Sequence, residues 1–195
     1  MEKMFKASRK RKFNRRSEAL TNYKKRLALV KGGMERVVVR RTNRRIIGQI
    51  VGYEEKGDKV MMHVDSDRLK KYGWPGRSNR PTGYLTGMLL AKEARKLGDR
   101  EYVLDIGLAA STGGSVQFAF AKGCVDNGMK LRGKFEIDEK TYNGSGIAKY
   151  AEMIKGNKNA HSSKEQFKEY EAGNVRVEGI EELFNKVRES IKKEA

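Results

Sequence analysis

Positive charge is concentrated at the start of the chain, and this concentration limits where a folded core can lie. Positions 1–31 contain twelve Lys or Arg residues against two Glu, so ten of the eighteen net positive charges fall in the first sixth of the 195 residues. Packing so many like charges together is unfavourable unless a polyanion neutralises them. We therefore expect an arm that binds nucleic acid, followed by a separately folded body. The alternative is a solvated basic tail that only aids solubility.

The rest of the composition narrows the class of protein. Positions 32–150 carry a further net +8, whereas positions 151–195 balance nine basic against nine acidic residues. The single cysteine excludes an intramolecular disulfide, and two histidines are too few for a zinc cluster. No apolar run approaches the ~20 residues needed to span a bilayer. The composition predicts a cytoplasmic protein with no cofactor and no membrane partner.

The body of the chain alternates strand-like and helix-like segments. Runs of β-branched residues indicate strands, and Pro and Gly mark the starts and ends of helices. The order β-β-β-α-β-α predicts an α/β fold, with a mixed sheet that contains antiparallel hairpin strands and carries helices on one side. The expected elements are strands 36–40, 46–51, 59–65 and 102–106, a helix from Pro81 to Gly98, and a helix over 115–127.

Two further helices are expected near the ends of the chain. Residues 17–31 predict a short amphipathic helix, with Ser17 as its N-cap and a Gly-Gly pair after it. Residues 177–193 predict a mixed-charge amphipathic helix. We therefore expect three regions: a basic arm with a short helix (1–31), an α/β core (32–130) and a helical C-terminal extension (131–195).

The turn of the predicted hairpin is a second indication of binding. Arg40-Arg41-Thr42-Asn43-Arg44-Arg45 places four arginines around a tight polar turn. Guanidinium forks match phosphate oxygens, and Asn43 could read a base edge or a ribose hydroxyl. The alternative is a solvated edge whose charges deter strand aggregation. Lysine would serve that alternative equally well, so the arginines favour binding.

A few residues invite other interpretations. Asp65, Asp67 and Asp105 fall at strand ends and could form a two-metal nuclease site, but strand ends favour Asp for turn reasons alone. Cys124 lies in the apolar stripe of a helix, which is typical of a small buried hydrophobe rather than a nucleophile. Trp74, in a loop rich in Gly and Pro, either stacks on a base or packs in the core.

Four motifs follow one another along the chain: Thr21-Asn22-Tyr23-Lys24-Lys25-Arg26-Leu27, Val39-Arg40-Arg41-Thr42-Asn43-Arg44-Arg45-Ile46-Ile47-Gly48-Gln49-Ile50, Gly83-Tyr84-Leu85-Thr86-Gly87 and Asp105-Ile106-Gly107-Leu108. In this order they resemble the archaeal form of the large-subunit ribosomal protein L-eighteen family, whose eukaryotic counterpart is L-five. The resemblance runs from about residue 8 to the C-terminus, and the segment beyond about residue 130 is typical of the archaeal and eukaryotic forms. Arg44 and Arg45 stand where the family commonly has Lys and His, which keeps the charge.

The resemblance implies a structural, non-catalytic constituent of the large ribosomal subunit in the cytoplasm. Such a protein binds 5S rRNA in the central protuberance and ties it to the 23S-type large-subunit rRNA, beside neighbouring large-subunit proteins. It also implies a ribonuclease-H-like arrangement of translation components without nuclease activity. The arm would thread between RNA helices, while the hairpin turn and the exposed sheet face would hold the 5S RNA.

Two other functions remain as alternatives: a Mg²⁺-dependent RNA-processing nuclease and a generic architectural nucleic-acid binder. For the RNA-binding function, the candidate residues are Arg9, Lys10, Arg11, Lys12, Phe13, Arg15, Arg16, Thr21, Asn22, Tyr23, Lys24, Arg26, Arg40, Arg41, Thr42, Asn43, Arg44, Arg45, Ser78, Asn79 and Arg80.

Overall fold

A mixed five-stranded sheet lies at the centre of the computed structural model, which describes residues 14–155, Phe167, Tyr170 and residues 175–194. The spatial strand order is β3-β2-β1-β4-β5. The first three strands form an antiparallel meander, and β4 and β5 continue the sheet in parallel beyond β1. The strands are β1 (Glu35–Arg41), β2 (Ile46–Glu54), β3 (Gly57–Asp65), β4 (Glu101–Asp105) and β5 (Lys130–Arg132). The predicted α/β fold with a mixed sheet is confirmed, and β5 is an addition to it.

Seven α-helices that the structure describes accompany the sheet, with short 3₁₀ segments at Ser66–Tyr72, Arg95–Leu97 and Val177–Gly179. Among the described residues, none of these helices is long and apolar enough to cross a bilayer. The helices are α1 (Asn14–Ser17), α2 (Tyr23–Lys31), α3 (Arg80–Ala94), α4 (Val116–Asp126), α5 (Glu139–Tyr142), α6 (Ser145–Lys155) and α7 (Ile180–Lys193).

Side chains that alternate in direction along β1 and β2 divide the sheet into a covered face and an open face. Val37 and Val39 of β1 lie opposite Ile50 and Gly48 of β2, and this side packs against α3 and α4. A side chain at Gly48 would overlap the ring of Phe120 in α4, so the missing Cβ lets the helix approach the strand. Because side chains alternate along a strand, the neighbouring positions of β1 and β2 face the opposite side of the sheet.

Helices α3 and α4 touch through their backbones. A Cβ at Gly87 of α3 would overlap the carbonyl oxygen of Phe120, and a Cβ at Gly123 of α4 would overlap that of Tyr84. Cys124 lies beside this contact, fully buried, with its Sγ 3.3 Å from the carbonyl oxygen of Gly87. Burial raises the pKa of its thiol. The prediction of a small buried hydrophobe at Cys124 is confirmed.

Helix α3 is buried on nearly all sides, whereas the sequence predicts one apolar stripe. The reason is a third layer: the C-terminal helices pack on the side of α3 that faces away from the sheet. The ring of Tyr84 stacks on that of Tyr142 with centroids 4.4 Å apart, and Phe184 of α7 packs beside it at 5.5 Å. Trp74 joins this layer, 1% exposed, and its Nε1 donates to Thr82 Oγ1 over 2.8 Å. The indole is therefore a core residue rather than a base-stacking one.

The N-terminal helix predicted over 17–31 is wrong in its first turn. Helix α1 ends at Ser17, Ala19 takes a left-handed conformation with φ of 54°, and α2 begins only at Tyr23. The N-cap is Asn22 instead of Ser17, and its side chain accepts from the backbone N–H of Lys25 over 3.1 Å. No residue of α2 is fully buried, and the apolar side chain of Leu27 is 56% exposed.

Candidate nucleic-acid interface

A groove of about 390 Å³ lies between the N-terminal helices and the open face of the sheet. We call it the sheet groove. One wall is the α1–α2 segment and the floor is formed by β1, β2 and β3. The opposite wall is formed by the end of β4, the loop after it and the start of α4. The lining residues include Arg15, Leu20, Thr21, Asn22, Lys25 and Arg26 on the first wall, Arg36, Val38, Arg40, Arg41, Gln49, Val51, Asp58 and Val60 from the sheet, and Asp105, Ile106, Gly107, Leu108, Ala109 and Gln117 on the second wall.

Six of the predicted RNA-binding residues meet in the sheet groove, although they come from two distant segments. They are Arg15, Thr21, Asn22, Arg26, Arg40 and Arg41. The sequence analysis missed Lys25, Gln49 and the loop 106–109. The alternation of Arg36 and Arg40 with buried valines was the signal that could have located the floor, because it places arginines on the face away from the core.

A chain of ion pairs runs across the floor of the groove. Arg36, 3% exposed, lies between two carboxylates: its Nη2 is 2.8 Å from Asp58 Oδ1 and its Nη1 is 3.0 Å from Asp105 Oδ2. The second oxygen of Asp58 pairs with Arg26 of α2 at 2.9 Å. On the other side, Asp105 Oδ1 accepts from the backbone N–H of Gly107 over 2.9 Å. We call Arg26, Arg36, Asp58 and Asp105 the floor network.

The hairpin turn is held in one conformation by hydrogen bonds. The backbone N–H of Thr42 donates to the carbonyl oxygen of Arg45, and the N–H of Arg45 donates to Thr42 Oγ1, both over 2.9 Å. Ser78 Oγ donates to the carbonyl oxygen of Thr42 over 2.7 Å and accepts from Arg41 Nε over 3.1 Å. The turn is thereby tied to the loop before α3, and Asn43 and the flanking arginines are exposed.

The arginines of the turn face two different concavities. Arg40 and Arg41 line the sheet groove, whereas Arg44 and Arg45 line a second cleft with Asp67, Lys70 and residues 73–77. Arg45 Nε lies 2.9 Å from Asp67 Oδ2 in that cleft. The turn therefore presents cationic side chains on both of its sides.

Other predicted residues have different surroundings. Asn79 is the N-cap of α3: its Oδ1 accepts from the N–H of Thr82 over 3.0 Å, and its Nδ2 donates to the hydroxyl of Tyr170 over 2.6 Å. Four further predicted residues do not line the sheet groove. Arg16, Lys24 and Arg80 are exposed, and Tyr23 is half-buried. The predicted residues Arg9, Lys10, Arg11, Lys12 and Phe13 lie outside the described residues.

The three carboxylates of the nuclease alternative do not converge. Asp65 ends β3 and Asp105 ends β4, and two strands, β2 and β1, lie between them. Three strand spacings of ~4.8 Å put the two residues about 14 Å apart. A two-metal centre needs ligands around ions ~4 Å apart. Asp65 and Asp67 instead flank Arg45, and Asp105 pairs with Arg36.

The fold and the groove define a class: a basic α/β protein whose open sheet face and arginine-rich turn suit a polyanion. Comparison with known proteins gives the family. A family model described as ribosomal large subunit proteins 60S L5, and 50S L18 matches residues 8–100. The large ribosomal subunit protein uL18 of Korarchaeum cryptofilum (strain OPF8) is 44% identical over 183 residues, which cover 92% of each chain. The chain belongs to this family of large-subunit ribosomal proteins, which confirms the predicted family and the prediction of a ribosomal, rRNA-binding protein of the cytoplasm.

Proposed function

We propose that the protein is a non-catalytic constituent of the large ribosomal subunit that binds 5S rRNA and anchors it to the large-subunit rRNA in the central protuberance. In this proposal residues 1–31 are the RNA-binding arm, 32–130 the 5S rRNA-binding core and 131–195 an extension that meets neighbouring ribosomal proteins. The observation that carries the proposal is the sheet groove, where arginines from the arm and from the hairpin line one concave surface.

The chemistry of the groove suits an RNA backbone with unpaired nucleotides. Guanidinium groups bind phosphate oxygens in bidentate fashion. The amide nitrogen of Gln49 lies 3.3 Å from His63 Nδ1, and its amide oxygen offers an acceptor to a base edge or a 2′-hydroxyl. Exposed apolar side chains at its margin, Leu20 and Leu108, give a surface on which a base or ribose can pack. Because Ser78 holds the turn, its backbone needs little further ordering when RNA binds.

Cationic side chains on both sides of the turn support an anchoring function. RNA in the sheet groove contacts Arg40 and Arg41, and a second RNA segment in the cleft contacts Arg44 and Lys70. One rigid turn between two RNA segments fixes their relative position, which is what joining 5S rRNA to the large-subunit rRNA requires.

Binding competition tests the proposed function. We expect labelled 5S rRNA to bind more tightly than duplex DNA and than an unrelated structured RNA of the same length, each measured by fluorescence anisotropy at one fixed salt concentration. Arg40→Gln removes one charge-assisted hydrogen bond, typically ~1.5–3 kcal/mol, and should weaken 5S rRNA binding about tenfold or more. Lys96→Gln is the matched control, since it also removes one exposed cation. Lys96, beyond the C-terminal end of α3, pairs with Glu93 and lies outside the sheet groove. Equal affinity for all three nucleic acids would contradict the proposal.

The nuclease alternative has a separate test. Incubating the protein with structured RNA and Mg²⁺ should leave the RNA intact on a denaturing gel. Cleavage that is present in the wild type and lost in Asp105→Asn would overturn the non-catalytic assignment.

A further inference from the structure

Two carboxylates line a groove whose other charged lining residues are cations, in a chain of net charge +18. On charge alone, Asp58 and Asp105 should repel RNA and weaken its binding. We propose instead that they strengthen RNA binding, because the floor network fixes the positions of the two walls of the sheet groove. They are positioning residues of the RNA site, and this inference rests on the proposed function.

The arm-side wall depends on Asp58. Asp58 Oδ2 pairs with Arg26 Nη2 at 2.9 Å, while Asp58 Oδ1 is held by the buried Arg36 at 2.8 Å. Helix α2 has no buried residue of its own, so burial contributes little to its position over the sheet. A carboxylate that is itself fixed by a buried guanidinium is a well-defined anchor for such a helix.

The opposite wall depends on Asp105. Its Oδ2 pairs with Arg36 Nη1 at 3.0 Å and its Oδ1 accepts from the N–H of Gly107 over 2.9 Å. Gly107 has a φ of 59°, and a turn follows in which the N–H of Ala109 donates to the carbonyl oxygen of Ile106. The carboxylate thus fixes the start of the loop that forms this wall, and Arg36 couples it to Asp58.

The effect on affinity follows from how often the groove is in its binding conformation. The apparent affinity equals the intrinsic affinity multiplied by the fraction of molecules that are in the binding conformation. If loss of the Asp58 anchor leaves α2 in place in about one molecule in five, RNA binding weakens about fivefold. Electrostatics alone predicts that Asp58→Asn binds RNA more tightly, since this variant has one more net positive charge.

The test compares Asp58→Asn with Glu54→Gln in the full chain. Both substitutions remove one negative charge from the same β2–β3 hairpin, but Glu54 is exposed and pairs only with Lys59 among the contacts seen, at 3.3 Å. We expect the dissociation constant for labelled 5S rRNA to rise about fivefold in Asp58→Asn and to stay equal or fall slightly in Glu54→Gln. Equal or tighter binding by Asp58→Asn would overturn the proposal.

A measurement without RNA separates this inference from the proposed function. Amide hydrogen exchange of the free protein should be faster across α2 in Asp58→Asn and unchanged in β1. Unchanged exchange in α2 would overturn the positioning role even if 5S rRNA binds as proposed. Conversely, a wild type that does not prefer 5S rRNA overturns the proposed function, while faster exchange still supports the anchor.

Arg26→Gln keeps the inference testable if Asp58→Asn does not fold. Arg26 is the exposed end of the network, with a side chain 40% accessible, so its loss should not impair the core. The same acceleration of exchange in α2 is expected. In the double variant, Asp58→Asn should add less to the loss of RNA affinity than it does alone, whereas full additivity would show that Asp58 does not act through Arg26.

Discussion

Gly87 and Gly123 determine how closely the two central helices approach. Each places its Cα against a backbone carbonyl of the other helix, so neither position has room for even a methyl group. Glycine costs up to ~1 kcal/mol against alanine in a helix interior. The two glycines therefore lower the helix propensity of α3 and α4. The close packing that they permit, including that of Cys124, offsets this cost.

Replacing Gly123 by alanine should destabilise the protein by about 3 kcal/mol. The added methyl group must push α3 and α4 apart, and overpacking of this kind usually costs ~1–3 kcal/mol, toward the upper end when backbone is the neighbour. Urea unfolding followed by the fluorescence of the single, buried Trp74 measures the change in the free energy of unfolding.

Gly146→Ala is the control for this experiment. Gly146 is an exposed residue of α6, and a Cβ there would meet nothing within 4 Å. We expect its stability to be unchanged or slightly higher. A Gly123→Ala variant that is as stable as Gly146→Ala would contradict the backbone contact between α3 and α4.

Local sequence signals predicted single residues well where the cause is local. Cys124 was expected to be buried because it falls in an apolar helical stripe, and it is. Trp74 could not be assigned, because its surroundings include Phe184, about a hundred residues away. Asn79 was predicted to bind RNA, which stays a prediction; its side chain caps α3, a function that its position two residues before Pro81 could have indicated.

At the scale of elements, α7 is fastened near its end by one carboxylate. Glu194, just after the helix, accepts from Lys92 Nζ over 2.7 Å and from the hydroxyl of Tyr72 over 2.6 Å. Hydrogen bonds from Lys92 and from Tyr72 lower the pKa of Glu194 below its ordinary value of 4.5. These bonds join the end of α7 to α3 and to the 3₁₀ segment after β3.

The contribution of Glu194 should disappear in acid. A carboxyl group whose pKa is lower in the folded state stabilises above its ordinary pKa and loses that effect as the pH falls through the folded-state value. Glu194→Gln should therefore melt at a lower temperature than wild type at pH 7, and the two melting curves should converge well below pH 4.5. Glu189→Gln, at an exposed position of the same helix, should show a smaller difference at pH 7. Curves that stay equally separated at low pH would exclude this function of Glu194.

The hairpin was predictable and the N-terminal helix was not, for different physical reasons. β-Branched residues on both sides of a polar turn specify β1 and β2, because only one register of the two strands turns Val37 and Val39 toward the core. The arm has no such constraint: its apolar residues Leu20 and Leu27 stay exposed, so periodicity alone overestimated the helix. Its true boundary is set locally, by the left-handed Ala19 and the Asn22 cap.

At the scale of the whole molecule, charge on the arm should dominate the salt dependence of RNA binding. If about five arm cations contact phosphates, they contribute roughly −3 to −5 to the slope of log affinity against log salt. Deleting residues 1–16 removes eight Lys and Arg residues and should flatten this slope, measured with 5S rRNA over a range of KCl concentrations. Changing Lys186, Lys192 and Lys193 of α7 to Gln is the control and should leave the slope nearly unchanged. An unaltered slope in the deletion variant would show that the arm does not contact RNA.

The floor network shows what sequence reasoning could not reach. Its members, Arg26, Arg36, Asp58 and Asp105, come from four separate elements, and only the sheet order and the position of α2 bring them together. Composition and motifs identified the kind of partner and many of the cations. They carried no information on which acids hold those cations in place, because an ion pair between distant segments leaves no local pattern.

The burial of α3 on nearly all sides has a consequence for synthesis on the ribosome. The sheet-facing side of α3 can pack on β1–β3 as soon as it emerges, but its outer side is covered by Tyr142 and Phe184, which follow Tyr84 by about sixty and one hundred residues. At ~5–20 residues per second, that side stays uncovered in the nascent chain for about 5–20 s. During this interval Tyr84 on the outer side of α3 lacks its aromatic partners, so the three-layer core is complete only after α7 has left the ribosome.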